Sequence, residues 1–337
     1  MMHKNFTFDD VLIAPSFSTV SSRREVDLTA QFGGFSLKLP VFSSNMDTVT
    51  GEVMANTMAK SGGCGLLHRF MSIEENVAEL KKVLPNFAGV SVGLGEQEFE
   101  RACALVDAGA LFIVLDVAHA AQISVVNQSR RIREKYGSNV HISVGTFANS
   151  RSINDWLHHG GEADSFHVGV GPGSACSTRV KTGVGIPQLS ALLDCVRTGR
   201  PVISNGGCKT PGDIAKALAA GARGVILGGM LAATDEAPGE VVEKDGRKFK
   251  KYRGSASLES YEVQNKKAEW RTAEGESMLL PYKGPVNSIL QDVEGGLRSS
   301  FSYVGARTLE EFQRRAELVL VSHAAFSENG AHGKKDY

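Results

Sequence analysis

The chain has 337 residues, of which 42% are hydrophobic and 22% charged, a balance that excludes a disordered chain and a small disulfide-stapled scaffold. Its 37 basic side chains equal its 37 acidic ones, so no net charge attracts it to nucleic acid or to an anionic membrane. No apolar run approaches the roughly 20 residues of a membrane span. The five cysteines lack the spacing of a zinc site or a disulfide framework. We therefore expect a cytoplasmic protein that binds neither nucleic acid nor membrane.

Short apolar runs alternate with stretches of helical period through the first two thirds of the chain. They predict strands at residues 40–44, 64–68, 89–92, 111–116, 141–144, 165–168, 201–204 and 224–227. Amphipathic segments predict helices between them, as at residues 99–108, 124–135, 187–197 and 211–220. Alternating strands and helices are typical of parallel sheets, and eight such pairs predict an α/β fold, a closed (β/α)8 TIM barrel.

The pattern changes after the eighth predicted strand. Residues 236–251 predict a charged hairpin with Asp245 and Gly246 at its turn, and residues 252–284 are polar, as is typical of a lid. A helix is predicted at residues 308–321 and a mobile tail at residues 322–337. We therefore interpret residues 1–337 as one TIM-barrel domain with a finger and flap at about 236–284 and no inserted module.

The most informative segment, residues 169–179, follows the sixth predicted strand and contains three glycines and a proline within its first five residues. Such a composition predicts an irregular loop whose backbone closely approaches a ligand or an ion. A lone cysteine is more often a small buried residue. Cys176, beside Thr178 and Arg179 at the mouth of a barrel, is predicted to be a nucleophile because a nearby cation favours the thiolate.

Two glycine pairs follow the seventh and eighth predicted strands, at residues 206–207 and 228–229. Backbone N–H groups at those ends of a barrel commonly hold a phosphate group. One pair alone could simply close a tight turn, but two pairs on successive strands favour a phosphate site. The residues by themselves thus predict a thiol beside a phosphate site and leave the ligand open.

Several ungapped stretches are typical of one known family. They are Phe-Asp-Asp-Val-Leu at 8–12, Asn-Met-Asp-Thr-Val at 45–49, the loop at 171–179, Lys-Thr-Gly-Val-Gly at 181–185, Leu-Gly-Gly-Met at 227–230, Ala-Glu-Gly at 273–275 and Gly-Gly-Leu-Arg-Ser at 295–299. Through them the chain, from residue 7 to about 320, resembles the GMP reductase and IMP dehydrogenase family. The resemblance implies a purine mononucleotide substrate, with Cys176 beneath C2 of the base, and a homotetramer.

The resemblance also implies roles for individual positions. Cys176, Thr178 and Glu274 would be catalytic, with Thr178 bonded to Glu274 to protonate the leaving ammonia. The implied substrate contacts are Met46, Ser174, Asn205, Gly206, Gly207, Gly228, Gly229, Gly254, Ser255, Ala256, Arg271 and Gly275.

A cofactor and an ion are implied in the same way. The implied NADPH contacts are Ser22, Arg23, Arg69, Asp116, Val117, Ala118, Ser299, Ser300, Phe301 and Ser302. Asp116 could equally be the N-cap of the following helix. The implied potassium site consists of Gly171, Gly173, Cys176 and Arg179, through a loop rich in carbonyl oxygens.

Two features distinguish the branches of the family. IMP dehydrogenases usually carry a regulatory insert of roughly 120 residues, which the chain lacks, and residues 267–275 resemble the short flap of the reductases. The resemblance therefore favours NADPH-dependent reductive deamination of GMP to IMP and ammonia through a covalent adduct on Cys176. An IMP dehydrogenase and a nucleotide-binding barrel without catalysis remain the alternatives.

Three residues depart from the family pattern. Asn205 replaces an aspartate that binds ribose, and a neutral amide weakens that recognition by about 1–2 kcal/mol, which predicts that a 2′-deoxynucleotide is tolerated or preferred. Ser255 replaces a methionine that touches the base, which leaves the identity of the purine open. Ala120 replaces a glycine, and its Cβ would crowd the cofactor loop if φ were positive.

Overall fold

The computed structural model describes residues 4–263, 272–322 and 325. Its strands are β1 (Val11–Ala14), β2 (Ala30–Gln31), β3 (Ser36–Leu37), β4 (Val41–Ser43), β5 (Cys64–Leu67), β6 (Ala88–Val92), β7 (Phe112–Asp116), β8 (His141–Phe147), β9 (Ser165–Val168), β10 (Val202–Asn205), β11 (Gly224–Leu227), β12 (Val241–Lys244), β13 (Arg247–Arg253), β14 (Ser277–Pro281) and β15 (Glu317–Leu320). Its helices are α1 (Glu52–Lys60), α2 (Ile73–Val83), α3 (Glu96–Asp107), α4 (Ile123–Tyr136), α5 (Ser150–His158), α6 (Thr178–Thr182), α7 (Gln188–Cys195), α8 (Pro211–Ala219), α9 (Leu258–Val263), α10 (Val286–Tyr303) and α11 (Leu309–Arg315). Residues 264–271 of the predicted flap, Arg271 among them, and residues 323, 324 and 326–337 of the predicted tail lie outside the described residues.

Strands β4 to β11 form a closed parallel barrel in chain order, with β11 paired back to β4. Every residue of β5, β6, β9 and β11 is buried, because barrel side chains fill one face of the sheet and helices cover the other. This double burial explains why the strands are recognisable as continuous apolar runs. The predicted TIM barrel and its eight strands are confirmed.

Side-chain caps fix where the barrel helices begin. Ser72 accepts a hydrogen bond from the backbone of Glu75 at the start of α2, and Thr210 does the same with Asp213 at the start of α8. Pro211 occupies the first turn of α8, where no backbone N–H is needed. These caps hold the loops that precede the helices against the mouth of the barrel.

Aromatic side chains close the opposite end of the barrel. The β2–β3 hairpin carries Phe32 and Phe35, whose rings stack with centroids 4.9 Å apart. Phe35 also lies 5.0 Å from Phe112, and Phe32 meets Phe42 edge to face at 5.5 Å. Offset and edge-to-face contacts of this kind stabilise a core beyond the burial of area alone. Ligand access is therefore confined to the mouth formed by the carboxyl ends of the strands.

The predicted hairpin is present and extends into a three-stranded antiparallel sheet. Strand β13 pairs with β12 on one side and with β14 on the other. Asp245 and Gly246 both have positive φ, 51° and 70°, as a two-residue hairpin turn requires. The far end of β13 carries Tyr252 and Arg253 to the mouth of the barrel.

The predicted helix at residues 308–321 is only partly correct. Helix α11 ends at Arg315, Ala316 is extended, and β15 pairs antiparallel with β1, Val11 opposite Leu320. This pairing covers the edge of β1, which would otherwise be free. It joins distant parts of the chain, so the local sequence does not reveal it.

Helix α10 was not among the predicted elements. It buries Val286, Leu290, Val293, Leu297 and Phe301 at helical spacing, but glycines and serines interrupt the apolar pattern. Among the described residues no helix, α10 included, has both the length and the apolar character needed to cross a bilayer.

Candidate active site

Three adjoining clefts open at the mouth of the barrel. The central cleft, about 240 Å³, is lined by Cys176 and Glu274. The glycine cleft, about 380 Å³, is lined by both glycine pairs and by Ser174. The Arg69 cleft, about 580 Å³, is lined by Arg69 and shares Asp116 with the central cleft. Shared lining residues join the three, so a ligand larger than any one of them can span the mouth.

Cys176 lies exposed in the central cleft. Its Sγ is 3.2 Å from the Oγ1 of Thr178, and its backbone N–H donates to the carbonyl of Gly173 at 3.0 Å. The interpretation of this residue as a small buried cysteine is therefore wrong. The loop holds the thiol beside a hydroxyl that can exchange a proton with it or with a group bound to it.

The other cysteines lie in different surroundings. All five are among the described residues, and burial raises the pKa of Cys64 and of Cys195 to about 12. Burial also raises the pKa of Cys208 well above its ordinary value. These thiols stay protonated and serve as small apolar side chains.

Arg179 clamps the loop that carries Cys176. Its Nε donates to the carbonyl of Val170 at 3.0 Å, and its Nη2 donates to the carbonyl of Ile186. Loss of hydration lowers its pKa, and the nearby Cys176 opposes that shift. The side chain packs over Gly171, where a Cβ would lie 2.6 Å from the arginine Cγ. The guanidinium is thus committed to loop carbonyls, and the carbonyl of Arg179 itself accepts the Gly183 amide.

Glu274 reaches the central cleft on a backbone segment that is bonded on both sides. Its carbonyl accepts the amide of Ser177 at 2.8 Å, and its amide donates to the carbonyl of Ala256 at 3.0 Å. A Cβ on the adjacent Gly275 would lie 3.0 Å from the backbone nitrogen of Ser257, so a side chain there would crowd the segment. Among the hydrogen bonds of the described residues, none joins Thr178 to the Glu274 carboxylate, so the predicted relay is not closed in this structure.

In the glycine cleft, the hydroxyl groups of Ser174 and Tyr252 lie beside the backbone of Gly228 and Gly229. A Cβ on Gly229 would lie 2.8 Å from the Oγ of Ser174, and one on Gly228 would lie 2.9 Å from the hydroxyl of Tyr252. Burial raises the pKa of Tyr252, whose hydroxyl is hydrogen-bonded to Ser174. Absent side chains therefore leave room for a small anion between hydroxyls and amide groups.

The second glycine pair and a lysine line the same cleft. Gly206 and Gly207 have φ of +84° and +87°, which side chains rarely adopt. Lys283 donates its Nζ to the carbonyls of Gly229 and Met230, and burial lowers its pKa. No periodicity or motif in the sequence marks Lys283, so its place in this cleft was not predicted. The hydroxyl of Tyr252 was not predicted to contribute either, although alternation along the hairpin places that side chain inward.

Asp116 marks the junction between the central cleft and the Arg69 cleft. The Asn45 Nδ2 donates to its Oδ2 at 2.9 Å, and burial raises its pKa against the opposing effects of Arg69 and Asn45. Gln122 occupies the N-cap position of helix α4, so Asp116 is not its N-cap. Ala120 does not have a positive φ, so the expected crowding by its Cβ does not occur.

Arg69 lies along one wall of the cleft named after it, with Val117 and Ala118. Its guanidinium stacks over the ring of Phe70 at 5.3 Å. The Nε is buried and has no partner among the described residues. An unpartnered buried donor of this kind fits an anionic group of a bound molecule. Ser255 and Ala256 line this cleft as well as the central one.

The remaining predicted cofactor residues lie elsewhere. None of Ser22, Arg23 and the serines at 299, 300 and 302 lines the three clefts. Arg23 lies over the ring of Tyr303, so these residues form a separate cluster beside α10. Phe301 is fully buried and stacks on Phe312 with centroids 4.0 Å apart, so its side chain is unavailable to a cofactor.

The fold and the site together define a class of protein. It is a TIM-barrel enzyme whose mouth presents an exposed cysteine in a cleft that adjoins a glycine-lined cleft and the Arg69 cleft. Residues 5–332 match the model of the IMP dehydrogenase / GMP reductase domain, and the chain belongs to that family.

Similar proteins fall on both branches of the family. The chain is 38% identical to a GMP reductase of Aeromonas hydrophila, with 97% of both chains covered, and 37% identical to a GMP reductase of Ascaris suum, with 96% and 95% covered. It is 30% identical to an inosine-5′-monophosphate dehydrogenase of Nitrosopumilus maritimus, with 98% of both covered. The crystal structure of a cysteine-to-alanine variant of GMP reductase from Trypanosoma brucei, in complex with guanosine 5′-monophosphate, superposes with a TM-score of 0.92 at 30% identity, covering 99% and 98%.

Proposed function

We propose that this protein is an NADPH-dependent guanylate reductase that converts GMP to IMP and ammonia. The observation that carries the proposal is the exposed thiol of Cys176 between the glycine cleft and Glu274. An IMP dehydrogenase is the weaker candidate, because the relatives at 37–38% identity that match nearly end to end are reductases.

The nucleotide is held at both ends. Its phosphate lies in the glycine cleft on Ser174 and the amides of the two glycine pairs, and its base lies in the central cleft over Cys176. Met46, Gly254, Ser255, Ala256 and Gly275 line that cleft and complete the base contacts, and Arg271 is assigned to the same substrate. Binding at both ends orients C2 toward the sulfur.

The thiolate of Cys176 adds to C2 of the base, the bond from C2 to the exocyclic nitrogen breaks, and a thioimidate remains on the sulfur. The amine is a poor leaving group unless it is protonated. Thr178, whose Oγ1 is 3.2 Å from the sulfur, passes that proton from the carboxyl group of Glu274. Ammonia then leaves, and the carbon–sulfur bond breaks as C2 is reduced, which restores the thiolate.

A bound NADPH would supply the hydride that reduces C2, and the residues of the Arg69 cleft would hold it. The Arg69 cleft adjoins the central cleft at Asp116, and the unpartnered Nε of Arg69 suits a phosphate of the cofactor. Asp116, Val117 and Ala118 line this cleft, Asp116 and Ala118 line the central cleft as well, and the three would position the nicotinamide. The cluster of Ser22, Arg23, Ser299, Ser300 and Ser302 is assigned to the far end of the cofactor.

A potassium ion is proposed at the loop that carries Cys176. The carbonyls of Gly171 and Cys176 accept no hydrogen bond from the described residues, while that of Gly173 accepts one. Carbonyl oxygens of this kind suit a hard cation. Such an ion would hold the loop in the conformation that presents the thiol.

The assembly and location are proposed on the family resemblance. We assign the protein to the cytoplasm as a homotetramer, with a purine mononucleotide and no nucleic acid as its ligand. Its charge balance of 37 basic and 37 acidic side chains supports the last point.

One assay tests the proposed reaction. GMP with NADPH is expected to consume the reduced cofactor and release one ammonia per NADPH. IMP with NAD⁺ is the control for the dehydrogenase and is expected to give no reduced cofactor. Turnover with IMP and NAD⁺, and none with GMP, would contradict the proposal.

A further inference from the structure

We infer that the sugar subsite does not select ribose, and that the enzyme accepts 2′-deoxyguanylate as a substrate. The inference rests on the proposed function, because it concerns the sugar of the same nucleotide. It depends on the residues where the central cleft meets the glycine cleft.

The two clefts fix the place of the sugar. A mononucleotide with its phosphate in the glycine cleft and its base over Cys176 must span the junction between them with its sugar. Five side chains line both clefts and therefore surround that junction: Ser44, Met46, Pro172, Asn205 and Tyr252. The two glycines at the same place, at 173 and 206, add only backbone.

The side chain of Asn205 points into this junction. Strand side chains alternate between the two faces of a sheet. The preceding Ser204 is fully buried and accepts a hydrogen bond from the Nε2 of Gln188 on α7, outside the barrel. Asn205, the last residue of β10, therefore faces the interior at the mouth. Its carboxamide makes no hydrogen bond with another described residue, so it is available to a ligand.

The junction carries no carboxylate among its described residues. Recognition of a ribose hydroxyl commonly uses an aspartate or a glutamate, since a charged acceptor makes the stronger hydrogen bond. Asp116 and Glu274 line the central cleft but not the glycine cleft, and Asp116 accepts a hydrogen bond from Asn45.

The other groups at the junction do not replace a carboxylate. The hydroxyl of Tyr252 is hydrogen-bonded to Ser174. Ser44 supplies one neutral hydroxyl, and Met46 and Pro172 present apolar surface. A 2′-hydroxyl group placed here would lose its hydrogen bonds to water and gain at most a hydrogen bond to a neutral group. The net gain in binding free energy over a 2′-methylene group is therefore small.

Kinetics with the two sugars test the inference. With saturating NADPH, kcat/KM for dGMP is expected to lie within about tenfold of that for GMP, or above it, because a neutral hydrogen bond is worth no more than this. A preference for GMP larger than about tenfold would overturn the inference.

The Asn205→Asp variant supplies the missing carboxylate. It is expected to shift the ratio of kcat/KM values toward GMP by about tenfold, the difference between a charged and a neutral acceptor. Asn154→Asp, the same chemical change at an exposed position on α5, is the matched control and should leave the ratio unchanged. An Asn205→Asp ratio equal to that of the wild type would also overturn the inference.

Failure of the proposed function is distinguishable from failure of the inference. If neither nucleotide supports NADPH oxidation, the proposed function fails. Calorimetric Kd values of GMP and dGMP on the wild-type protein then decide the sugar preference, with the same tenfold limit. These wild-type measurements also decide the question if Asn205→Asp does not fold.

Discussion

Glu274 and Glu276 lie on the same backbone segment but differ in whether the side chain lines the central cleft. Both belong to the segment that is hydrogen-bonded between the Cys176 loop and the turn at residues 254–257. Only Glu274 lines the central cleft, and Glu276 is exposed. A side-chain change at either position keeps the backbone bonds, so differences in activity report on the carboxylate.

Glu274→Gln is expected to lower kcat by about 10²-fold with little change in KM, because an amide cannot supply the proton to the departing amine. Steady-state kinetics with GMP and NADPH measures both constants. Glu276→Gln is the control and should retain wild-type kinetics. An equal loss in both variants would show that the segment matters only for its structure.

At the scale of single residues, the sequence predicts which side chains reach the mouth of the barrel better than it predicts their contacts. Glycine density and a neighbouring cation were enough to predict that Cys176 is a nucleophile in a mouth loop, and Cys176 is indeed exposed there. The predicted bond between Thr178 and Glu274 is not formed among the described residues, because backbone pairing brings the two segments together without fixing the rotamers of these side chains. Lys283 was missed because only the folded chain brings it to the glycine cleft.

At the scale of elements, β13 delivers a charged cluster to the mouth. Arg253, at the end of that strand, forms ion pairs with Asp47 and Glu259, and the Asp47 contact is the main cause of its raised pKa. Arg253 and Asp47 are only 14% and 11% exposed. Lys251 also pairs with Glu259, but its side chain is 51% exposed. The buried pair therefore anchors the turn that follows β13.

Asp47→Ala is expected to lower the free energy of unfolding by about 3 kcal/mol, because it leaves the guanidinium of Arg253 buried without its main partner. Lys251→Ala removes an exposed pair and is expected to cost less than about 1 kcal/mol. Urea denaturation of both variants and the wild type gives the comparison. Equal effects would contradict the anchoring role of the buried pair.

The strands of the barrel were predictable because each is a continuous apolar run between polar loop residues. Strand β15 was not, since its pairing with β1 joins the two ends of the chain. Helix α10 was also missed, although its buried side chains recur at helical spacing, because the glycines at 295–296 and the serines at 299–300 weaken the pattern.

At the scale of the whole molecule, the apolar core of the barrel contains buried histidines. His167 is fully buried, and burial lowers its pKa to about 3, with a further lowering from His141. His68, near the mouth, is nearly buried, and loss of hydration lowers its pKa to about 4. Both imidazoles are therefore neutral in the folded protein near neutral pH.

Stability is expected to fall as the pH drops below 6.5, the ordinary pKa of histidine. In that range the unfolded chain binds protons that the folded chain does not, until the folded pKa values of about 4 and about 3 are reached. Each buried histidine adds about 1.4 kcal/mol per pH unit to the slope. Urea denaturation between pH 7 and pH 5 measures it.

His167→Gln is expected to reduce that slope by the contribution of one histidine. His158→Gln, at an exposed position on α5, is the control and should keep the wild-type slope. A wild-type stability that does not change with pH across this range would show that the buried histidines are not neutral in the fold.

The central claim is covalent catalysis by Cys176, and turnover of the Cys176→Ala variant tests it most directly. With GMP and NADPH, turnover is expected to fall by at least about 10³-fold, because no other exposed thiol is present among the five cysteines, all of them described. GMP binding, measured by calorimetry, is expected to stay within a few-fold of the wild type. Undiminished turnover in this variant would contradict the mechanism.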